Sequence, residues 1–216
     1  MFITFEGIEG SGKTTQIRFA AEFLSATNRP VVLTREPGAT DVGRRIRAIL
    51  LDPAHRNIDP RAELLLYMAD RADHLGRVVR PAVGSGKTVL CDRYFDATLA
   101  YQGYARGLGT DLLTRLHKLV LDDFTPDLTL LLDLPPEIGL GRAWRQIDAG
   151  ERTAAETRFE SEALRFHERV RAGYLDLARR FPGRFRIVDA AGTPDAVRET
   201  IQKVLSDFLE SYPPRP

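Results

Sequence analysis

The sequence GIEGSGKT, residues 7–14, fits the pattern G-x-x-x-x-G-K-[ST] of a phosphate-binding loop, or P-loop. It follows a short apolar run, Phe2–Phe5, that predicts a buried strand, and it precedes helical spacing of apolar residues over Gln16–Leu24. A loop between a strand and a helix can direct backbone N–H groups and the helix N-terminus at phosphate oxygens. The stretch therefore predicts a P-loop that binds a nucleotide.

The pentapeptide GSGKT occurs a second time, at 84–88. The full pattern would need a glycine at position 81, where the chain has Pro81. Here a predicted helix comes first and a predicted strand, Thr88–Cys91, follows, which reverses the order that a P-loop needs. A glycine near a helix end is typical of a C-cap. We predict a helix-to-strand turn here and only one nucleotide-binding loop.

Short apolar runs alternate with helical patterns along the chain. The predicted strands are Phe2–Phe5, Val31–Thr34, Thr88–Cys91, Leu128–Leu132 and Phe185–Val188. The predicted helices are Gln16–Leu24, Val42–Leu51, Ala62–Val83 with a break near Pro81, Leu112–Leu121, Pro136–Ile147, Phe159–Arg180 and Thr193–Leu209. Such alternation with wholly apolar strands is typical of a parallel sheet covered on both faces. We predict one α/β domain, residues 1–216, with a three-layer P-loop NTPase fold whose five-stranded parallel sheet is flanked by helices.

The composition argues against several classes of protein. The 216 residues include 31 Lys+Arg and 30 Asp+Glu, a formal net charge of +1, so the net charge implies no nucleic-acid or membrane surface. The single cysteine, Cys91, excludes an internal disulfide and fits a reducing compartment. The start MFITFEG lacks the features of a signal peptide, and no apolar run approaches the roughly 18 residues of a membrane span. We expect a cytoplasmic protein.

Residues beyond the P-loop narrow the class of nucleotide-binding protein. A GTPase would need an N-K-x-D guanine motif, which the sequence lacks. Asp92 follows the third predicted strand, where its carboxylate would bind Mg²⁺, directly or through water, or hold Arg93 in place. In a P-loop, Lys13 is expected to reach the β- and γ-phosphates and the Thr14 hydroxyl to bind Mg²⁺.

Five stretches together resemble the bacterial thymidylate kinase family: FEGIEGSGKTT, TREPGAT, YMADR, CDRYFDATLAYQGYARG and PDLTLLLDLPPEIGL. The resemblance runs from the first predicted strand to the last predicted helix. It implies a nucleoside monophosphate kinase-like fold and an enzyme that converts dTMP to dTDP with ATP and Mg²⁺, on the route to dTTP. It also implies a homodimer, for which Ala48, Leu51 and Leu65 are candidate contacts, although apolar helix positions more often belong to a core.

The resemblance assigns one set of residues to ATP and to the transfer. Arg93, in D-R-Y, is implied to bridge the donor and acceptor phosphates, and it is a catalytic candidate together with Lys13. Thr14 and Asp92 are the implied Mg²⁺ ligands. The implied ATP-binding residues are Gly7, Ile8, Glu9, Gly10, Ser11, Gly12, Lys13, Thr14, Thr15 and Arg142.

A second set of residues is assigned by the resemblance to dTMP. Tyr67 and Arg71 lie four apart on one predicted helix and so face the same way; the aromatic ring is implied to stack on thymine and the guanidinium to bind its O4. Arg47 is implied to hold the dTMP phosphate, with a surface charge beside Arg44 and Arg45 as the alternative. The full implied set is Glu9, Glu36, Arg47, Tyr67, Arg71, Arg93, Thr98, Tyr101 and Gln102.

Within this set the resemblance gives the remaining residues separate tasks. Thr98 and Gln102 are implied to contact the thymine edge. Glu9 is implied to contact the deoxyribose 3′-hydroxyl, and Tyr101 to crowd the 2′ position and so favour deoxyribose. Arg35 and Glu36 are implied to shape the acceptor side, with a cis Glu36-Pro37 bond as a possibility.

A lid is expected over about 142–158. The P-loop positions Ile8–Ser11 contain no arginine, so the resemblance implies the type of kinase that supplies its catalytic arginine from the lid. Arg145 and Arg152 are equal candidates for contact with the γ-phosphate, because Arg142 is implied to lie near adenine and Arg158 to be structural. A closing lid excludes water that would otherwise hydrolyse ATP.

Two alternatives stay open from the sequence. One is another nucleoside monophosphate kinase, or a deoxynucleoside kinase, of the same fold. The other is a binding module that holds ATP without transferring its phosphate. Preference for dTMP among acceptors distinguishes the first, and acceptor-dependent release of ADP distinguishes the second.

Overall fold

The computed structural model describes residues 1–150 and 153–212. Five parallel strands form one sheet in the order β2-β3-β1-β4-β5. The strands are β1 (Phe2–Glu6), β2 (Val31–Arg35), β3 (Thr88–Asp92), β4 (Leu128–Asp133) and β5 (Phe185–Asp189). The central strand β1 pairs with β3 and β4, so that Phe5 lies opposite Asp92 on one side and Leu130 on the other. The predicted five-stranded parallel sheet is confirmed.

Helices cover both faces of the sheet. They are α1 (Lys13–Ala26), α2 (Asp41–Leu51), α3 (Pro60–His74), α4 (Arg80–Gly84), α5 (Phe95–Thr98), α6 (Thr110–Leu121), α7 (Pro136–Asp148), α8 (Leu164–Arg180) and α9 (Pro194–Ser211). Short 3₁₀ turns occupy Pro53–His55 and Ala154–Glu156. Phe2, Ile3 and Phe5 are fully buried although adjacent strand residues face opposite sides, so both faces of β1 belong to the core. None of the described helices is long and apolar enough to cross a membrane.

Every strand runs one residue beyond its predicted apolar run, and the added residue is charged in each case. These residues are Glu6, Arg35, Asp92, Asp133 and Asp189. Because the strands are parallel, their carboxyl ends meet at one edge of the sheet. Connections after β1 and β3 lead to opposite sides, and a crevice outside the carboxyl ends of such strands is where open α/β sheets bind ligands.

The predicted break near Pro81 lies elsewhere. The chain is helical from α3 through α4, and the irregularity is a π-helical turn at Leu75–Val79 that precedes the proline. Proline has no N–H and its ring crowds the carbonyl one turn earlier, so a wider turn before it lets the helix continue. The second GSGKT is a turn as predicted, since α4 ends at Gly84 and β3 begins at Thr88.

Two further helix boundaries differ from the prediction. Residues 95–105 form α5 and a π-helical turn, Leu99–Ala105, where the sequence analysis assigned no helix. Helix α8 begins at Leu164 rather than Phe159, because Arg158 and Phe159 turn inward and are buried. Both differences bring side chains to the crevice, so local spacing of apolar residues does not reveal them.

Candidate active site

The P-loop connects β1 to α1 at the centre of the crevice. Its residue Gly12 caps α1 with φ 87°, and Gly10 has φ 68°, a conformation that L side chains rarely adopt. A Cβ on Gly10 would lie 2.0 Å from the carbonyl oxygen of Gly139, so the loop packs directly on the backbone of α7. The predicted ATP-binding residues Gly7–Thr15 all lie in this loop or in the first turn of α1.

Lys13 lies inside the loop with its ammonium group directed at loop carbonyls. Its Nζ donates to the oxygens of Ile8 (2.8 Å) and Gly7 (3.1 Å). Burial and, next, the cation of Arg93 together lower the pKa of Lys13 to about 8, against the opposing effect of the nearby carboxylates. The lysine is thus held as a buried charge where phosphate oxygens would meet the loop.

Thr14 and Asp92 bring two oxygen donors together beside the loop. The Thr14 hydroxyl donates to Asp92 Oδ2 at 3.3 Å, so the two residues predicted to bind a metal ion are in contact. No cluster of three or more potential His, Cys, Asp or Glu ligands occurs within residues 1–150 and 153–212. A hydroxyl and one carboxylate suit Mg²⁺, which keeps several water ligands and takes others from nucleotide phosphates.

Two cavities meet at the carboxyl ends of β1 and β3. One, of about 790 Å³, lies over the P-loop and Asp92, and the other, of about 590 Å³, lies beside it under Tyr67 and Thr98. Four residues line both cavities: Glu9, Glu36, Arg47 and Arg93. A site for two ligands is therefore divided by a small group of charged side chains.

Arg93 occupies the centre of that boundary. Its backbone has φ 70°, a conformation uncommon for non-glycine residues and frequent at functional sites. Its guanidinium donates to Gly7 O (2.9 Å) and Glu9 Oε1 (2.9 Å) and lies 5.0 Å from the centre of the Tyr101 ring. The arginine predicted to bridge two phosphates is thus fixed between the P-loop and the second cavity.

Glu9 is held from two sides. The Tyr101 hydroxyl donates to Oε1 at 2.6 Å, and Nδ1 of His167 lies 3.2 Å from Oε2. Burial raises the pKa of Glu9, but Arg93 and His167 outweigh burial and hold the pKa well below its usual range. The carboxylate is therefore anionic and fixed in direction, with the two residues predicted for the deoxyribose, Glu9 and Tyr101, in contact.

Arg71 is fully buried in the wall of the second cavity. Its Nε donates to Glu36 Oε2 (2.6 Å), Nη1 to the Thr98 hydroxyl (2.9 Å) and Nη2 to Tyr94 O (3.1 Å). Oxygen Oε1 of Glu36 lies 2.7 Å from Nδ1 of His74. The structure thus joins three predicted dTMP residues, Glu36, Arg71 and Thr98, in one network, and the Glu36-Pro37 bond is cis.

Tyr67 and Gln102 line the same cavity from opposite elements. Tyr67 comes from α3 one turn before Arg71, and burial raises the pKa of its hydroxyl. Gln102 donates from Nε2 to the buried Glu63 at 2.8 Å, and Glu63 lies 2.7 Å from Arg158 Nη2. Arg158, expected to be structural, is therefore a buried partner of the residue that orients Gln102.

Arg47 is half buried and faces the cavities, which excludes the alternative of a surface charge. Its Nε and Nη2 donate to the two oxygens of Glu156, at 3.0 and 2.6 Å, and Nη1 donates to Pro37 O. Neighbouring Arg44 is exposed and pairs with Asp41. A two-point contact of this kind is how arginine binds carboxylates and phosphates. In this structure the carboxylate of Glu156, from the predicted lid, makes this two-point contact with Arg47.

The arginines of the predicted lid lie in different surroundings. Arg142 donates to the carbonyls of Ala190 (2.8 Å) and Ala191 (2.9 Å) beside a cavity of about 590 Å³ that Gly12 also lines. Arg145 lies exposed on α7, and Arg152 lies outside the described residues. Arg35, at the end of β2, is exposed and lines the cavity over the P-loop.

Several buried residues around the site escaped the sequence analysis, and four of them are Glu6, His74, His167 and Tyr174. The Tyr174 hydroxyl donates to Glu6 Oε2 at 2.7 Å and accepts from Arg93 Nη1 at 3.2 Å. Burial and the neighbouring Asp96 raise the pKa of Glu6 to about 8. Of the four, only His74 had a local signal, because it lies one turn after Arg71 on the same helix face.

The fold and the site define a class. A P-loop after the central strand, a hydroxyl–carboxylate pair for Mg²⁺ and an arginine between two cavities describe a P-loop kinase that passes phosphate between two bound molecules.

Comparison with known proteins specifies the family. A thymidylate kinase family model matches residues 5–201. A thymidylate kinase of Desulfosudis oleivorans is 54% identical over 192 residues, 89% of this chain and 90% of the relative. One of Nitratidesulfovibrio vulgaris (strain Miyazaki F) is 50% identical over 216 residues, 100% of both chains. A crystal structure of thymidylate kinase from Ehrlichia chaffeensis has a TM-score of 0.74 and 36% identity, and the match covers 95% of this chain and 98% of that one.

The chain belongs to the thymidylate kinase family. It is a nucleoside monophosphate kinase, and the predicted phosphorylation of dTMP is confirmed.

Proposed function

We propose that the chain transfers the γ-phosphoryl group of ATP to the 5′-phosphate of dTMP in a Mg²⁺-dependent reaction, in the pathway to dTTP. An oxygen of the dTMP phosphate forms a bond to the γ-phosphorus, the bond from that phosphorus to the β–γ bridging oxygen breaks, and dTDP and ADP leave. The observation that carries the proposal is Arg93, fixed between the P-loop and a second cavity of about 590 Å³.

ATP is assigned to the cavity over the P-loop. Backbone N–H groups of residues 7–15 and the charge of Lys13 bind its phosphates. Adenine is assigned to the cavity beside Arg142, whose guanidinium is held by the Ala190 and Ala191 carbonyls. Thr14 and Asp92 would hold Mg²⁺, which neutralises charge on the β- and γ-phosphate oxygens.

The dTMP molecule is assigned to the cavity beside the P-loop. Tyr67 stacks on thymine, and Arg71, Thr98 and Gln102 supply polar atoms to its edge. Glu36 fixes Arg71 through their buried ion pair. Thymine selection then rests on groups whose hydrogen bonds to one another set their directions before the substrate arrives.

The phosphate and sugar of dTMP are assigned to the boundary between the cavities. Arg47 binds the 5′-phosphate in place of Glu156, and Arg93 bridges that phosphate to the γ-phosphate. Glu9 accepts a hydrogen bond from the 3′-hydroxyl, and Tyr101 crowds the 2′ position against a 2′-hydroxyl. The dTMP phosphate and the γ-phosphate repel each other, and the two guanidinium groups between them offset that repulsion as they approach.

We assign the lid to about residues 142–158 of what we infer is a single domain. Helix α7, which leads into the lid, packs on the P-loop through Gly139 and Gly10, so movement of the lid can be transmitted to the loop. Arg145 and Arg152 remain equal candidates for the catalytic arginine of the lid. A cytoplasmic location stays a prediction from the sequence.

We infer a homodimer. Helix α3 contacts both α2 and α6, and these helices expose large apolar side chains, including Leu65 (60% exposed) and Leu119 (80% exposed). Of the residues predicted for the interface, Ala48 and Leu65 are exposed and Leu51 is partly buried. Sedimentation velocity tests this inference, since a monomer at micromolar concentration contradicts it.

An acceptor panel tests the proposed reaction. Release of ADP from ATP is measured with dTMP, dUMP, UMP, dCMP, AMP and thymidine, with and without Mg²⁺. We expect dTMP to give the highest kcat/KM and thymidine none, because Arg47 and Arg93 need an acceptor phosphate. Preference for AMP or UMP, or ADP release that is independent of the acceptor, would contradict the proposal.

A further inference from the structure

His167 is a buried residue of α8 to which the reaction as described assigns no task. It is 0% exposed, and its two ring nitrogens face different parts of the site. Nε2 lies 3.0 Å from the carbonyl oxygen of Phe159, just after the lid, and Nδ1 lies 3.2 Å from Glu9 Oε2 in the P-loop. One side chain thus touches both the donor loop and the chain that returns from the lid.

The contacts of the two ring nitrogens bear on which of them carries a hydrogen. A carbonyl oxygen only accepts, so Nε2 of His167 carries a hydrogen. The carboxylate of Glu9 already accepts two hydrogen bonds at Oε1, from Tyr101 and Arg93, and it faces His167 with Oε2. A bare Nδ1 would place a lone pair against that anion. Hydrogens on both nitrogens, the imidazolium form of the ring, would remove that conflict.

The second oxygen of Glu9 depends on this ring alone. Within the described residues neither Glu9 Oε2 nor His167 Nδ1 forms a hydrogen bond, although both atoms are buried, so the 3.2 Å ion-pair contact is what links them. Leaving a buried charged oxygen without a partner costs free energy, so without the ring the carboxylate would turn toward Lys13 or toward water. Turning Glu9 would also move the Tyr101 hydroxyl, which donates to its other oxygen.

We infer that His167 is a positioning residue for the sugar of dTMP: as an imidazolium it holds Glu9 Oε2, and through Glu9 it keeps Tyr101 against the 2′ position. This inference rests on the proposed function, in which Glu9 and Tyr101 meet the deoxyribose. It deepens that function by assigning selection against ribonucleotides to a residue without contact to the nucleotide.

Two substitutions separate the two contacts of the ring. In His167→Asn the amide nitrogen can take the place of Nδ1 and still donate to Glu9. In His167→Gln the amide nitrogen takes the place of Nε2 and donates to Phe159 instead. The variants match in polarity, so they differ mainly in which partner keeps its hydrogen bond.

Steady-state kinetics with dTMP and with ribothymidine 5′-monophosphate test the inference. For His167→Gln we expect KM for dTMP to rise about tenfold to a hundredfold, the loss expected for one hydrogen bond to a charged group, with KM for ATP nearly unchanged. We expect discrimination against the ribonucleotide to fall by about tenfold. His167→Asn should stay within about threefold of the parent for both substrates. Equal kinetics in the two variants would overturn the inference.

Nuclear magnetic resonance of the unmodified chain tests the ring directly and needs a variant only to assign the signal. With ¹⁵N-labelled histidine at pH 7.5, both ring nitrogens of His167 should show the chemical shifts of protonated nitrogen. The signal is assigned by its absence from the His167→Asn spectrum, and three other histidines remain as references. A neutral ring overturns the inference. If the parent itself prefers another acceptor to dTMP, the proposed function fails, whatever the ring shows.

Discussion

The two sides of the crevice are built differently. The side that we assign to ATP is one continuous loop, in which backbone groups of residues 7–15 surround Lys13. The side that we assign to dTMP joins side chains from separate parts of the chain, through ion pairs such as Glu36–Arg71 and Glu9–Arg93. The first arrangement places main-chain dipoles around an anion. The second arrangement places charged side chains around the second cavity, and each of those charges needs a protein partner of its own.

This difference implies that the two sides respond differently to substitution. A loop that binds through its backbone tolerates loss of a small side chain, because the N–H groups stay in place. A network of buried ion pairs does not, because removing one partner leaves the other charge buried and uncompensated. The predictions that follow test this contrast, beginning at the boundary between the two sides.

Replacing Arg93 should have the largest effect. In Arg93→Ala we expect kcat to fall by about 10³- to 10⁵-fold, because an arginine that contacts the transferring phosphoryl group raises kcat by about that factor. ATP affinity should change only a few-fold, since the P-loop remains. Steady-state rates and isothermal titration calorimetry with ATP measure the two quantities. Turnover within a few-fold of the parent would remove Arg93 from the transfer.

Breaking the Glu36–Arg71 pair should affect the dTMP side alone. In Glu36→Gln we expect the free energy of unfolding to fall by about 3–5 kcal/mol, as for other buried pairs that lose one partner. KM for dTMP should rise while KM for ATP changes little. Urea unfolding and steady-state kinetics measure these effects. The matched change on the ATP side is Ser11→Ala, which removes an acceptor 3.3 Å from Lys13 Nζ and should change either KM by less than about threefold. Similar losses in both variants would contradict the contrast.

The pH dependence should come from the ATP side. Because the pKa of Lys13 is lowered to about 8, the free enzyme loses this positive charge as the pH rises through that value. We therefore expect kcat/KM for ATP to be constant below pH 7 and to fall above pH 8. In Lys13→Arg the cation persists, so this fall should disappear even if the overall rate is lower. A fall at the same pH in that variant would assign it to another group, such as Glu6, whose pKa is raised to about 8.

Removing the carboxylate that pairs with Arg47 should have the smallest effect, and in the opposite direction. In Glu156→Gln we expect KM for dTMP to decrease by about threefold to tenfold, because a half-buried ion pair that competes with the phosphate contributes on the order of 1 kcal/mol. Asp148→Asn removes an exposed charge from the end of α7 and is the matched control. An unchanged or higher KM in Glu156→Gln would show that Arg47 does not exchange this carboxylate for phosphate.

The sequence by itself determined the fold class and the position of the P-loop, the side that we assign to ATP. The P-loop is contiguous, so its pattern and its position between a strand and a helix define its geometry without any distant contact. Apolar strands separated by helices were enough to predict the parallel sheet. The dTMP residues came from the family resemblance, since Tyr67 by itself fits a core as well as a base platform.

Only the tertiary structure decided how those residues pair. His167 meets Glu9 across 158 positions of the sequence, counted from their residue numbers, and Arg47 meets Glu156 in the lid. The helix over residues 95–105 and the inward turn at Arg158 follow from burial against β4, α3 and α8 rather than from local periodicity. Ion pairs of this kind have no signature in spacing, because a charge buried by the fold takes whichever opposite charge the fold brings within reach.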